Sequence, residues 1–154
     1  MLWYRRISLG AALAIIAVTL PAQDAPLQKR LTPSEIDSLP KVTAGTGTSG
    51  LPAVTTIVLF GDPAKAGLYS IRLKVAPHTV IKSHTHRDTR TTVVVSGSWY
   101  FGYGPRNEQS ALKLLTAGSF YTEPAGQPHF ARTDSAGAVV IVTGYGPSDT
   151  AYVE

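Results

Sequence analysis

The chain of 154 residues contains no cysteine. That excludes disulfides as a source of stability, a cysteine-linked lipid anchor, and a thiolate nucleophile. Charged residues are also scarce, at 16%, and form neither a basic run nor a basic-aromatic stripe of the kind that tracks phosphates, so nucleic acid is not an expected partner. G-x-S-x-G and Gly-rich phosphate loops are absent; the glycines of "FGYG", Gly102 and Gly104, read as a bend after an aromatic strand. Internal repeats, low-complexity tracts and long helical patterns are missing too. What is present is 44% hydrophobic residues, enough to pack one core and too short a chain for two comfortable domains. Stability must therefore come from that core alone, or from the core plus a metal.

Three regions follow from texture. Residues 1–22 read as a secretory signal: "MLWYRR" is a basic start, "ISLGAALAIIAVTL" an apolar stretch, and "PAQDA" a small-residue cleavage region with Ala22 as the expected last residue. The apolar run is shorter than the roughly 20 residues a bilayer requires, so no stable membrane anchor is expected after cleavage. The expected location is periplasmic or secreted. Cleavage removes Arg5 and Arg6 and no acid, taking the formal charge from +4 to +2. Residues 23–53 read as a loosely docked arm. In it, Thr32, Pro33 and Glu35 predict one capped helical turn stopped by Pro40, followed by a loop over "TAGTGTSG". An arm of this kind can cover a barrel edge or join a second copy in a homodimer.

Residues 54–154 carry strand signals. "LYSIRLKV" alternates Ile71, Leu73 and Val75 against Arg72 and Lys74, the period-two pattern of a half-buried strand. Further strands are expected at "VTTIVLF", "TVIKSHTH", "RTTVVVSGSWYFGYG", "LKLLTAGSFYTEP", "HFARTD" and "AVVIVTGYG", with at most a turn or two of helix at "QSALKLL". Many short strands without intervening helices predict an all-β sandwich or barrel.

The chemistry concentrates in histidines. His84 and His86 stand two apart in a strand-like context, so both imidazoles face the same way. His129, framed by the turn residues of "EPAGQP" and 43 residues beyond His86, is the third candidate; His78 in "APHTV" is expected at a turn facing solvent. Trp99, Phe101 and Tyr103 share one face of their strand and are candidates for lining a cavity. Glu123 is open to three roles: rim carboxylate, general base, or partner of Arg90.

These pieces resemble the cupins, whose motifs are G-x5-H-x-H-x3or4-E-x6-G and G-x5-P-x-G-x2-H-x3-N. "SHTHRDTRTTVVVSG" supplies His84, His86 and Gly97; "GSFYTEPAGQPHFART" supplies Gly118, Pro124, Gly126 and His129. The opening glycine position holds His78, the glutamate position Arg90, and the asparagine position Thr133. The resemblance spans roughly residues 54–147 and implies a jelly-roll β-barrel (a double-stranded β-helix) with a divalent metal held by His84, His86 and His129. With no motif glutamate, it is similar to three-histidine Fe(II) dioxygenases. Fe(II) is the first expectation, with Zn, Ni or Mn as alternatives.

The resemblance thus implies a metal-dependent enzyme on a small, anionic organic molecule, oxidative in the first reading. Isomerase or lyase chemistry on a sugar acid, a non-catalytic module for a small ligand or metal, and a structural barrel are the alternatives. Arg90 either faces inward and neutralises substrate, is held by Asp88 or Glu123 as an ion pair, or replaces the metal altogether.

Overall fold

The computed structural model describes residues 28–45 and 48–153. The leader expected at 1–22 and the start of the arm at 23–27 lie outside them. From Leu31 onward the chain forms one compact unit. Its helix α1, Pro33–Ser38, starts as the sequence predicts: the Thr32 side chain accepts the Glu35 N–H while the Glu35 carboxylate accepts the Thr32 N–H.

Among the described residues eight strands follow, in antiparallel pairs: β1 Val54–Phe60, β2 Gly67–Val75, β3 Val80–Thr85, β4 Arg90–Tyr103, β5 Lys113–Leu115, β6 Phe120–Glu123, β7 His129–Gly146 and β8 Ala151–Tyr152. The helical flavour of "QSALKLL" reduces to a 3-10 turn at Gln109–Ala111, before β5. β7 is the organiser. One edge pairs first with β3 and then with β2, while the other pairs along its length with β4, whose far edge carries β5 and β6. β1 extends the sheet beyond β2, and β8 beyond β3.

Alternation sends one face inward. Ile71, Val94, Val140 and Val142 are fully buried in a core shared with Trp99, Phe101 and Tyr121, whereas their neighbours Val93 and Val95 are exposed. At about 1.5–3 kcal/mol for each fully buried large apolar side chain, this core supplies the stability that a cysteine-free chain requires.

Two expectations need correction. "HFARTD" and "AVVIVTGYG" are not separate strands but one 18-residue strand, β7. It stays paired because β4 shifts register twice opposite it, between Val94 and Ser96 and between Gly97 and Trp99. Gly97 has φ 82°, and a Cβ there would lie 2.2 Å from the Gly137 carbonyl oxygen, so glycine is required where the two bends cross. The arm is also more tightly bound than a loose drape. Val42 bridges Thr56 of β1, Asp37 pairs with Arg72 of β2, Leu51 packs against the core, and Thr48 is buried.

Candidate metal centre

His84, the last residue but one of β3, faces His129, which opens β7, as its direct pairing partner. His86 lies just beyond the end of β3 rather than within it. It is held by the turn that precedes His129: the Gly126 N–H, at a φ of 70° that suits glycine, donates to the His86 carbonyl oxygen at 2.8 Å. The two motif segments are therefore tied by backbone before any metal is considered. The three rings come together with centroids 4.4, 4.9 and 5.0 Å apart, and one ligating nitrogen from each lies within 4.8 Å of the others.

Each ring is oriented from behind by a carbonyl oxygen, which can only accept. His84 Nδ1 meets Lys82 O at 2.7 Å, His86 Nδ1 meets Asp149 O at 2.5 Å, and His129 Nδ1 meets Gln127 O at 3.0 Å. In a neutral ring the proton must then sit on Nδ1, leaving the Nε2 lone pair for the interior. Burial, reinforced by His129, lowers the His84 pKa to about 4; burial, reinforced by Arg90, lowers that of His86 to about 3. Burial lowers His129 as well. The rings are thus unprotonated near neutrality. His129 Nε2 is buried with no hydrogen-bond partner, the kind of orphan that a metal satisfies. By donor type, orientation and spacing, the three histidines fit a divalent ion.

Arg90 points inward. It is 5% exposed and its guanidinium forms an ion pair with Glu123, which is 4% exposed. A second nitrogen of the same guanidinium donates to His86 Nε2. Burial works against the Arg90 charge, but the Glu123 carboxylate beside it outweighs that and holds its pKa up. Burial likewise opposes the Glu123 charge, but Arg90 prevails and brings that carboxyl down to about 2. Glu123 also faces the metal side: its Oε2 is 3.7 Å from His86 Nε2 and 3.8 Å from His129 Nε2. Arg90 and Glu123 are direct partners across β4 and β6, which is why both side chains share the inner face.

The aromatic candidates divide. Trp99 and Phe101 line the cavity around the histidines, together with Tyr121, whose hydroxyl accepts from Trp99 Nε1 at 2.9 Å. Tyr103 does not reach it. At the end of β4 it is half exposed, lines an outer groove, and donates to the Thr122 carbonyl oxygen. His78 is at an exposed turn with φ 53°, so it takes the left-handed conformation that its glycine slot calls for.

Sequence reasoning missed the walls. The inner cavity is only about 30 Å³ and is closed by Thr48, Ser49 and Thr150. Those same residues floor an outer pocket of about 550 Å³ that also includes Arg87, Asp149 and Tyr152. Thr150 Oγ1 donates to Thr48 O at 2.9 Å, and Tyr152 Oη to Ser49 O at 2.6 Å, fastening the arm to the chain end. Asp88, which the sequence offers only as an ion-pair partner of Arg90, is a second buried acid and accepts from Tyr69 Oη at 2.7 Å. That pair occupies the space left by Gly144, where a Cβ would lie 2.6 Å from both Asp88 Oδ2 and Tyr69 Oη. Gly144→Ala is expected to lose about 1–3 kcal/mol by overpacking, read as a lower urea midpoint; an unchanged midpoint would mean that the Tyr69–Asp88 pair is free to move.

No family model matches the chain, and no curated protein matches it. Solved structures do. The polyketide cyclase RemF from Streptomyces resistomycificus superposes with a TM-score of 0.66 at 18% identity, over 82% of this chain and 86% of that one. An RmlC-like cupin from Shewanella frigidimarina gives 0.55 at 18% identity, over 71% and 85%. A protein of unknown function with a cupin-like fold from Ralstonia eutropha gives 0.51 at 29% identity, over 63% and 57%.

Proposed function

We propose that this chain, whose fold is that of the cupins, is a metal-dependent enzyme acting on a small, anionic organic molecule, with oxidation by O₂ as the first reaction class. The observation that carries this reading is the convergence of three buried, neutral imidazoles beside a buried guanidinium. Oxalate oxidase and oxalate decarboxylase of Bacillus subtilis are among the proteins of similar fold, and both names specify a small carboxylate substrate.

A divalent ion held by His84, His86 and His129 would supply Lewis acidity and, as Fe(II), electron transfer. The chain's own groups set the rest. Three neutral imidazoles bring no charge, and one carboxylate is spent on Arg90, so the ion keeps a net positive charge that an anionic substrate can balance. Trp99, Phe101 and Tyr121 make the remaining walls apolar and keep water out. A cavity of about 30 Å³ takes an ion or a single water. Substrate therefore approaches from the outer pocket, by parting the Thr150–Thr48 and Tyr152–Ser49 contacts. The proposed site of action lies outside the cytoplasm, and the basic start and apolar stretch of residues 1–22 support that part of the reading.

Elemental analysis of purified protein, followed by loading with Fe²⁺, Mn²⁺, Ni²⁺ or Zn²⁺, tests the reading. A stoichiometric divalent ion is expected, with O₂ uptake by the Fe²⁺ form on a diketone, hydroxy acid or phenol. Failure to take up any of the ions would sink it. Uptake without turnover would move the chain to the class of binding modules, which the small inner cavity also suits.

A further inference from the structure

The cation in the motif-one acid slot has its own acid directly across the ladder. Arg90 pairs with Glu123 on β6 at one edge of β4 and with Gly144 on β7 at the other. Direct partners in an antiparallel sheet point to the same face. The missing carboxylate has thus not been lost from the pocket but moved one strand over. It arrives within reach of two ligating nitrogens: Glu123 Oε2 lies 3.7 Å from His86 Nε2 and 3.8 Å from His129 Nε2. Around a tetrahedral zinc with bonds of about 2.0–2.1 Å, neighbouring donors are about 3.3–3.4 Å apart. A few tenths of an ångström of contraction separates the observed carboxylate from a ligand position.

Arg90 now occupies the two atoms that the ion would use, Glu123 Oε2 and His86 Nε2. The other edge of β4 offers it somewhere to go. The Cβ position of Gly144 is filled by the Asp88 carboxylate, 2.6 Å away. One oxygen of that carboxylate accepts from Tyr69 Oη; the other, Oδ1, is buried and has no partner. A row runs across the inner face: Glu123, Arg90, and then Asp88 in the gap at Gly144. A shift of the guanidinium by one strand spacing, ~4.8 Å, would satisfy the orphaned carboxylate oxygen at one end, and an ion taking its former place would satisfy the orphaned imidazole nitrogen at the other.

We propose that Glu123 is the fourth ligand of the ion held by His84, His86 and His129, and that Arg90 is a resident cation that the metal displaces toward Asp88. The assignment rests on the three-histidine reading. It gives Glu123 a counter-cation before any metal binds, with metal entry an exchange of one cation for another on Glu123.

The test measures binding, not turnover. Zn²⁺ affinity is determined by competition with a chromophoric chelator for wild type, Arg90→Met, and the double variant Arg90→Met/Glu123→Gln. Co²⁺ absorption spectra report the ligand set of each. Arg90→Met should bind Zn²⁺ about tenfold or more tighter than wild type, and adding Glu123→Gln should reverse that by about tenfold or more and change the Co²⁺ spectrum. Equal affinities and identical spectra for Arg90→Met and the double variant would overturn the proposal, leaving Glu123 as the counter-ion of Arg90 only. A crystal structure of the Zn²⁺-loaded wild type decides independently of how the variants fold. Glu123 on the ion with Arg90 at Asp88 supports the exchange; an ion on three histidines with Arg90 still on Glu123 overturns it. A wild type that takes up neither Zn²⁺ nor Co²⁺ removes the three-histidine reading itself, and this assignment with it.

Discussion

Glu123→Gln should destabilise the metal-free protein by about 3–5 kcal/mol, because it leaves a guanidinium buried without its carboxylate. Arg90 is 5% exposed and Glu123 4%, so water cannot take over the lost interaction. The reciprocal change is expected to be milder. In Arg90→Met the buried Glu123 carboxyl can take up a proton and become neutral, whereas a guanidinium has no such escape near neutral pH. Removing both charges in Arg90→Met/Glu123→Gln should restore most of the loss, since a buried pair replaced by groups of similar volume is often neutral or better. Urea midpoints of the three metal-free variants give the order directly: the double variant and wild type highest, Arg90→Met between, Glu123→Gln lowest. A Glu123→Gln midpoint indistinguishable from wild type would show that Arg90 already leans on Asp88, and that the Glu123 pair contributes little to the fold.

That pair also marks how far the sequence could be read. The strand alternation of "LYSIRLKV" anticipated the all-β barrel, and the resemblance of "SHTH" and "PAGQPH" to the cupin motifs anticipated the meeting of His84, His86 and His129, because alternation and turn glycines are local signals. The alternation argued for the histidine pair does not hold, since His86 lies just past the end of β3. The two departures from the glycine and asparagine slots have local explanations as well. His78 takes the positive φ of its slot. Thr133 donates to the Ala76 carbonyl oxygen and accepts from the Thr79 N–H, serving the turn rather than the metal. What could not be read was anything set by register between distant strands. That Glu123 stands directly opposite Arg90, rather than beyond its reach, depends on which residue of β6 pairs with which residue of β4, and a slip of one would turn a side chain to the outer face. The same holds for Tyr103, which shares the strand face of Trp99 and Phe101 but lies past the end of the cavity. It holds too for Thr48 and Thr150, 102 residues apart in sequence and joined by one hydrogen bond. Asp88 sits in plain view in "HRDTR", yet its orphaned oxygen becomes meaningful only once Gly144 is placed beside it.

The largest ligand effect expected is on thermal stability. A metal that binds the folded chain and not the unfolded one adds RT ln(1 + [L]/Kd), about 4 kcal/mol at a thousandfold excess over Kd. For a folded unit of this size, 1 kcal/mol moves Tm by about 2–8 °C, so saturating Zn²⁺ should raise the melting temperature by roughly 8–30 °C. The histidines give a sharp control. They are buried as neutral rings with their Nδ1 atoms already committed to carbonyl oxygens, so the inward Nε2 atoms contribute little to the metal-free fold and much to the loaded one. His84→Ala/His129→Ala should therefore lose the whole Zn²⁺-dependent increment, while its metal-free melting temperature falls by the cost of two cavities and of the two lost Nδ1–carbonyl hydrogen bonds. An increment that survives in the double variant would place the ion elsewhere on the chain. An increment absent from the wild type would mean that the Arg90–Glu123 pair holds the pocket closed against metal, making the barrel a binder in which the guanidinium is the permanent cation.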